Sequence, residues 1–341
     1  MITGEFIHHR GAFFNVLFPG IAYDISGASK NRIMDALSVL FNPSAGQGRA
    51  RGLRDRVESR LRENGVPFDL FVTGSEEELK SLAREHGRKY RTVAGAGGDS
   101  TFHIVANELL ASGATARLGM IGVGSSNDIL REFGLDSLDR ACAALRAGRS
   151  RRIDVGRIVR GNETLRYFLG QANVGLGAMV NTYIAGLFRR RPRLARRQTF
   201  AGILGTLEAY RSGRLPLELE VEGGGGAARG RFVLAVFGNT RFWATGKEIV
   251  PDAKPDDGFL DVCLIDACPF VRLVRIAFLA ARGTHGRAKE VSFLKSRGFD
   301  VSGSVPFEIQ TDGEILGGAI RPELFDKIRF DVLPAALDIV C

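Results

Sequence analysis

Between residues 35 and 147, short apolar runs alternate with segments of helical spacing. Leu37–Phe41 is an apolar run that stops at Asn42-Pro43, which predicts a strand. Leu53, Val57 and Leu61 recur every four residues and Gly65 follows, which predicts a helix and its stop. Phe68–Val72 reads as a second strand. Ser75 with Glu78 forms a capping-box pattern for a helix running to about His86. Arg91–Gly95 reads as a third strand, Phe102–Leu110 as a helical run and Leu118–Val123 as a fourth strand, with a further helix from Asn127. Repeated strand–helix units imply a mostly parallel sheet whose loops, at the strand C-termini, line a ligand crevice.

The pattern changes near Ser150. Strands are predicted at Arg151–Val159, Leu165–Val174, Leu215–Glu222, Gly230–Phe237, Phe259–Ile265, Phe299–Val301 and Phe307–Gln310. Leu217, Leu219 and Val221 alternate with Glu218, Glu220 and Glu222, the signature of a half-buried antiparallel strand. Gly223–Gly226 follows as a hairpin tip, and helices interrupt this half near 181–212 and 270–282. The fold class is α/β: a doubly wound α/β nucleotide-binding domain over 34–149, then an antiparallel β-sandwich over 150–320. A C-terminal segment, 321–341, completes the chain.

Composition narrows the picture. A chain of 341 residues, 45% hydrophobic, can bury two cores. The net charge of +9 favours anionic partners: phosphate-rich ligands, nucleic acid or an acidic membrane. The four cysteines show no CxxC or zinc spacing, which points to a reducing, cytoplasmic setting. No apolar run reaches the length of a membrane span. Residues 12–25 are moderately apolar but broken by Asn15 and Pro19, and Glu5, His8, His9 and Arg10 precede them, so they do not read as a signal peptide. Residues 1–33 stand as a flexible extension, an interfacial anchor or a misjudged start.

Five short segments carry candidate chemistry. Asn42-Pro43-Ser44-Ala45-Gly46 is a strand-to-loop turn of small polar groups. Residues 94–101, Ala-Gly-Ala-Gly-Gly-Asp-Ser-Thr, place glycines between a strand and a helix, where backbone N–H groups approach an anion. Asp99 within that loop calls for a cation or a sugar hydroxyl beside it. Gly122-Val123-Gly124-Ser125-Ser126-Asn127-Asp128 is a second such turn, with more polar side chains than capping alone explains. Thr311-Asp312-Gly313-Glu314 contains the Asp-Gly pair of a common hairpin turn. Residues 250–261 hold Asp256, Asp257, Gly258 and Asp261 just ahead of a strand, oxygen ligands suited to a hard cation.

In this order and spacing the segments resemble the diacylglycerol kinase catalytic-domain family, which includes bacterial lipid kinases and sphingosine and ceramide kinases. The resemblance runs from about Val39 to the C-terminus, and its most specific piece is Pro251–Val262. It implies ATP and a lipid meeting in a cleft between two domains, with the C-terminal segment returning toward the first. It implies that ATP is held by Asn42, Pro43, Ser44 and Gly46, by Gly97, Gly98, Asp99, Ser100 and Thr101, and by Gly124, Ser125 and Asn127. Asp99 and Asp128 would sit at the active centre with Mg²⁺ or the nucleotide, and Glu314 would be the general base. A structural Mg²⁺ would be held by the Asp257 side chain and the Lys254 and Phe259 carbonyls, supported by Asp154. The chemistry is consistent: an alcohol acceptor needs a positioned base, and the transferred phosphoryl group needs cations and N–H donors.

Two motifs depart from the family pattern, at three positions. Ser100 stands where the pattern has glycine, and Gly122 and Ser125 replace a proline and a threonine. A Cβ at 100 could crowd the phosphates, which leaves a catalytically weak lipid- or nucleotide-binding homologue as an alternative. An NAD kinase is a third reading, resting on the glycine–Asp loop alone. The run 189–197 (RRRPRLARR) and Arg140, Arg146, Arg149, Arg151 and Arg152 are acid-free basic stretches. With few aromatics among them and no groove-reading motif, an anionic bilayer fits better than nucleic acid. Each basic residue near such a surface contributes ~1 kcal/mol, and Leu187-Phe188 and Phe200 could dip into the headgroups. The expected partners are thus a lipid substrate and the inner membrane face, touched peripherally, with no nucleic acid. Oligomeric state stays open, a homodimer included.

Overall fold

The computed structural model describes residues 34–124, 126–190 and 198–341. Residues 1–33, Ser125 and most of the arginine run at 189–197 lie outside the described residues.

The first half is built from β1 (Met34–Phe41), β2 (Phe68–Val72), β3 (Tyr90–Gly97) and β4 (Arg117–Gly122). They pair in parallel in the order β2-β1-β3-β4. Between and after them run α1 (Arg54–Glu63), α2 (Glu76–Lys89), α3 (Asp99–Ala111), α4 (Asp128–Glu132) and α5 (Leu138–Ala147). Val57, Leu61 and Cys142 of α1 and α5 pack with Val39, Phe41, Ala96 and Ile121 on one sheet face. Leu79 and Ala83 of α2 and Phe102, Val105 and Leu109 of α3 pack on the other. Each such buried aliphatic or aromatic contributes on the order of 1.5–3 kcal/mol by leaving water. Ser75 caps α2 by accepting the Glu78 N–H at 3.1 Å. The Glu78 carboxylate reaches back to the Gly74 N–H at 2.6 Å, one residue short of the usual box. The helix expected from Asn127 stops after five residues, and α5, capped by Ser137, follows it.

The second half contains β5 (Ser150–Arg160), β6 (Glu163–Phe168), β7 (Gln171–Gly175), α6 (Leu176–Arg190), the helix Gln198–Arg211, β8 (Leu217–Gly223) and β9 (Gly226–Gly238). Short β10 (Phe242–Trp243) and β11 (Lys247–Glu248) precede β12 (Leu260–Asp266), the helix Phe270–Ala280 and β13 (Val291–Ser296). The chain ends with β14 (Gly298–Thr311), β15 (Glu314–Ile315) and β16 (Leu324–Val340). β9 and β14 each pair antiparallel with both β7 and β8, so these four strands curl around a shared interior. Leu217, Leu219 and Val221 point into it, as their alternation predicts, and Phe237 stacks on Phe330 with ring centroids 3.9 Å apart.

Two strand expectations change. The run Leu165–Val174 divides into β6 and β7, because the N–H groups of Leu169, Gly170 and Gln171 are drawn off to the Asp312 carboxylate. The separate runs at 299 and 307 fuse into β14, with a register irregularity between Ser302 and Phe307 that absorbs Gly303 and Pro306. β16 was not anticipated as one strand. Its first part pairs with β14, its later part with β5, and Ile339 pairs in parallel with Leu118 of β4. The result is a 14-stranded sheet that runs through both halves.

Candidate active site

The loops after β1, β3 and β4 meet at one end of the parallel strands. Asn42 closes its own turn by accepting the Ser44 N–H at 2.9 Å, and its amide donates to Thr101 Oγ1 at 3.0 Å. Thr101 is buried behind the glycine loop, so its hydroxyl braces Asn42. Pro43 and Gly46 shape the same turn, Gly46 with φ of 60°. The Gly97 carbonyl accepts from Val123 and Gly124 at 2.8 and 2.9 Å. A Cβ on Gly124 would stand 2.4 Å from Gly98 Cα, so the two loops touch backbone to backbone and position 124 needs glycine. Ser100 is the second residue of α3, and its φ lies outside the left-handed region. The backbone there makes no demand for glycine.

A stripe of three polar side chains on α3 organises the centre. Asp99, His103 and Asn107 are spaced four residues apart and share one helix face. The Asp99 carboxylate accepts the N–H groups of Asp128 and Ile129 at 3.0 and 3.2 Å, capping α4. Burial pushes its carboxyl up to about 7, with the nearby acids Asp128 and Asp312 adding to the rise and the two N–H bonds opposing it. His103 Nδ1 lies 3.0 Å from Asp312 Oδ2. Asn107 bonds both the N–H and the carbonyl of Tyr167 in β6, at 2.9 and 3.0 Å. One helix of the first half thus grips α4 and two elements of the second half.

Asp312 is the hub on the far side. Its carboxylate accepts from the N–H groups of Leu169, Gly170 and Gln171 at 2.7, 2.8 and 2.9 Å, besides His103. Its backbone is left-handed, with φ of 47°. Glu314, two residues on in β15, makes no side-chain hydrogen bond or ion pair with any described residue and is partly exposed. Asn181 of α6 donates to the Gly313 carbonyl at 2.7 Å. Asp128 accepts the Thr245 N–H at 2.9 Å through Oδ2, while its buried Oδ1 has no partner among the described residues. Burial raises its carboxyl, against the pull of hydrogen bonds from Thr245 and Gly246 and the charges of Arg131 and Lys247. Asn127, with φ of 54°, likewise keeps a buried Oδ1 with no partner among the described residues. These oxygens suit a cation or a hydroxyl. The Thr101 N–H already bonds the Gly98 carbonyl at 2.8 Å, and the N–H groups of Asp99 and Ser100 ahead of it, at the helix start, suit a phosphate. The donor set therefore fits a nucleotide with its cation.

The 250–261 stretch stands apart, with no hydrogen bond or ion pair to the Asp99–Asp128–Asp312 group among the described residues. Asp257 Oδ1 accepts the Phe259 N–H at 3.1 Å, and Oδ2 meets Lys295 Nζ at 2.8 Å. The same ammonium reaches Asp261 at 3.0 Å. Asp154 spends its carboxylate on Gly258 and Ala335 N–H groups at 2.6 and 2.8 Å. Among the described residues no three His, Cys, Asp or Glu side chains gather as a metal-holding group. With both Asp257 oxygens engaged and a lysine already between the acids, Lys254, Asp257 and Phe259 do not fit a resident magnesium as they stand.

Sequence reasoning missed His103, Asn107 and the part played by Asp312. The readable signal was the four-residue spacing from Asp99. A cavity of about 430 Å³ lies beside α6, lined by Met179, Leu217, Val305 and Phe307 with the ion pair Arg214–Glu308. No described helix is long and apolar enough to cross a membrane.

A diacylglycerol kinase catalytic domain matches residues 36–158, and a YegS C-terminal NAD kinase beta sandwich-like domain matches residues 170–341. A diacylglycerol kinase of Staphylococcus aureus (strain MRSA252) is 25% identical over 313 residues, 89% of this chain and 93% of the relative. One from Bacillus subtilis (strain 168) is 24% identical over 305 residues, 87% of this chain and 95% of the relative. The crystal structure of a diacylglycerol kinase from Bacillus anthracis str. Sterne shares the fold, with a TM-score of 0.64 at 16% identity, covering 90% of this chain and 96% of that one. Fold and matches together define an enzyme of the lipid-kinase class. The chain belongs to the diacylglycerol kinase catalytic-domain family.

Proposed function

We propose that the protein transfers the γ-phosphoryl group of ATP to a hydroxyl of a diacylglycerol-like or sphingoid lipid, peripherally at the cytoplasmic face of an anionic membrane. The observation that carries the reading is the α3 stripe, which ties the glycine loop to the Asp312–Glu314 turn. The first N–H groups of α3 and the Gly98–Gly124 contact offer donors to phosphate oxygens. Asp128 Oδ1, buried and without a partner among the described residues, would hold Mg²⁺, with Asp99 fixing Asp128 in place through its N–H. Magnesium, when bound, neutralises charge spreading over the transferred phosphoryl oxygens. Glu314, without a side-chain partner among the described residues, accepts the proton of the lipid hydroxyl as its oxygen attacks. The cavity beside α6 pairs an apolar side of Met179, Leu217, Val305 and Phe307 with charged Arg214, Glu218, Arg231 and Glu308, a mixed wall that suits an alkyl chain carrying a polar head. The helical backbone at Ser100 favours this reading over a non-catalytic homologue.

The test is phosphoryl transfer from γ-labelled ATP in mixed micelles of diacylglycerol, sphingosine, ceramide or phosphatidylglycerol, with the product identified by mass. Wild type labels one of these lipids. Glu314→Gln lowers the rate by about 10²–10⁴, the range for losing a general base, while the unfolding midpoint stays put. A Glu314→Gln rate equal to wild type removes the base from the mechanism. Failure of the whole panel removes the lipid acceptor.

A further inference from the structure

We propose that the helix Phe270–Ala280, with Phe293 beside it, is a docking face for an anionic lipid bilayer. This rests on the lipid-kinase reading and adds the surface by which the enzyme meets its substrate. The helix is amphipathic in an unusual sense. Leu273, Ile276 and Ala280 face the protein at 6%, 2% and 1% exposure. Val271, Val274 and Phe278 face outward at 78%, 38% and 66%. These fall at i, i+3 and i+7, one continuous ridge. Where a solvated helix would carry polar groups, this one carries apolar tips and arginines. Arg275 lies on the ridge, Arg282 one turn past it, and no acid occurs anywhere from Pro269 to Arg282. Phe293, 42% exposed on β13, sets its ring edge against His285 just beyond the helix.

Charge selects the occupant. Arg272 on the flank is paired with Glu290 at 3.5 Å, which leaves Arg275 and Arg282 beside the apolar tips, a combination that suits a surface apolar within and anionic at the rim. A second copy across a twofold axis would bring arginines together with no acid on the helix to receive them. Nucleic acid would take the arginines and leave Val271 and Val274 without a partner. The position suits the chemistry as well. The inward residues of the helix pack in one apolar layer with Leu176 and Met179 of α6. α6 in turn holds the Gly313 carbonyl through Asn181, next to Glu314.

The experiment is sedimentation with vesicles of phosphatidylcholine alone and of phosphatidylcholine with phosphatidylglycerol, using full-length protein. Val271→Asp/Phe278→Asp and Arg275→Glu/Arg282→Glu are compared with wild type, each checked for an unchanged thermal midpoint. Wild type is expected to bind the anionic vesicles at least tenfold more tightly than the neutral ones. Each double variant is expected to lose at least tenfold of that binding while phosphorylating a water-soluble short-chain diacylglycerol at the wild-type rate. Binding within twofold of wild type in both variants overturns the proposal. So does a wild-type dimer in solution that Val271→Asp/Phe278→Asp breaks apart, which would make the face a contact between copies. Loss of vesicle binding in the variants, with no phosphorylation of any lipid by wild type, leaves the docking face standing and removes the kinase reading.

Discussion

Replacing Asp312 by alanine strands four donors at once. The carboxylate receives Leu169, Gly170 and Gln171 N–H groups and the His103 ring, with its own side chain 1% exposed. A buried donor left without an acceptor costs about 1–3 kcal/mol. Water entering the vacated space recovers part of that, so the net loss is on the order of 4–6 kcal/mol, against a total stability of about 5–15 kcal/mol. Alanine at φ of 47° adds backbone strain of roughly 1–2 kcal/mol. Asp312→Gly strands the same donors without that strain, and is expected to recover about 1 kcal/mol of the loss. His103→Ala removes one partner and leaves the three N–H bonds, with an expected loss of about 1.5–3 kcal/mol. Urea unfolding followed by circular dichroism reads all three. The single tryptophan, Trp243 in β10, gives a second probe close to the junction. If Asp312→Ala unfolds within 1 kcal/mol of wild type, the carboxylate is not the anchor described above.

Other perturbations follow from the same contacts. Gly124→Ala puts a methyl 2.4 Å from Gly98 Cα, so the paired loops splay. Overpacking of this kind costs about 1–3 kcal/mol, and calorimetry with a non-hydrolysable ATP analogue is expected to show at least a tenfold weaker Kd. Asp99 has its carboxyl raised from 3.8 to about 7, so the native state holds this proton more tightly than the unfolded chain. Its contribution is full below pH 3.8 and is lost as pH rises through about 7, up to about 4 kcal/mol over that window. Asp99→Asn flattens this slope, and equal urea midpoints at either end of the window in wild type refute it. Lys295→Met leaves Asp257 and Asp261 facing each other without their ammonium. Millimolar Mg²⁺ is expected to raise the thermal midpoint of that variant and not of wild type; an equal shift in both means that the metal already binds there.

The local pattern revealed the parallel half because its signals are local: apolar stubs, glycine stops and the Ser75 cap. The glycine loops were legible for the same reason, since a strand, a glycine run and a helix follow one another directly in the chain. What escaped was set by distant partners. Leu165–Val174 has the composition of one strand, and only Asp312, more than 130 residues on, takes the N–H groups that would have continued the ladder. Asp312-Gly313 reads as a plain hairpin turn until its carboxylate is seen to be buried. The Lys295–Asp257 ion pair also escaped, because the lysine lies on another strand and pairing of β12 with β13 is not written in either strand alone.

β16 crosses from one half to the other without a break in its backbone pairing, except at the bulge between Leu333 and Leu337. A cut between residues 150 and 170 therefore yields two fragments that each lack a rung of their own ladder, and neither is expected to remain soluble alone. For the same reason the jaws cannot swing on a free linker when substrates arrive. Any movement has to be a flexing of the shared ribbon, whose interruption at Pro334-Ala335 is braced by Asp154 and Arg152 in place of the ladder.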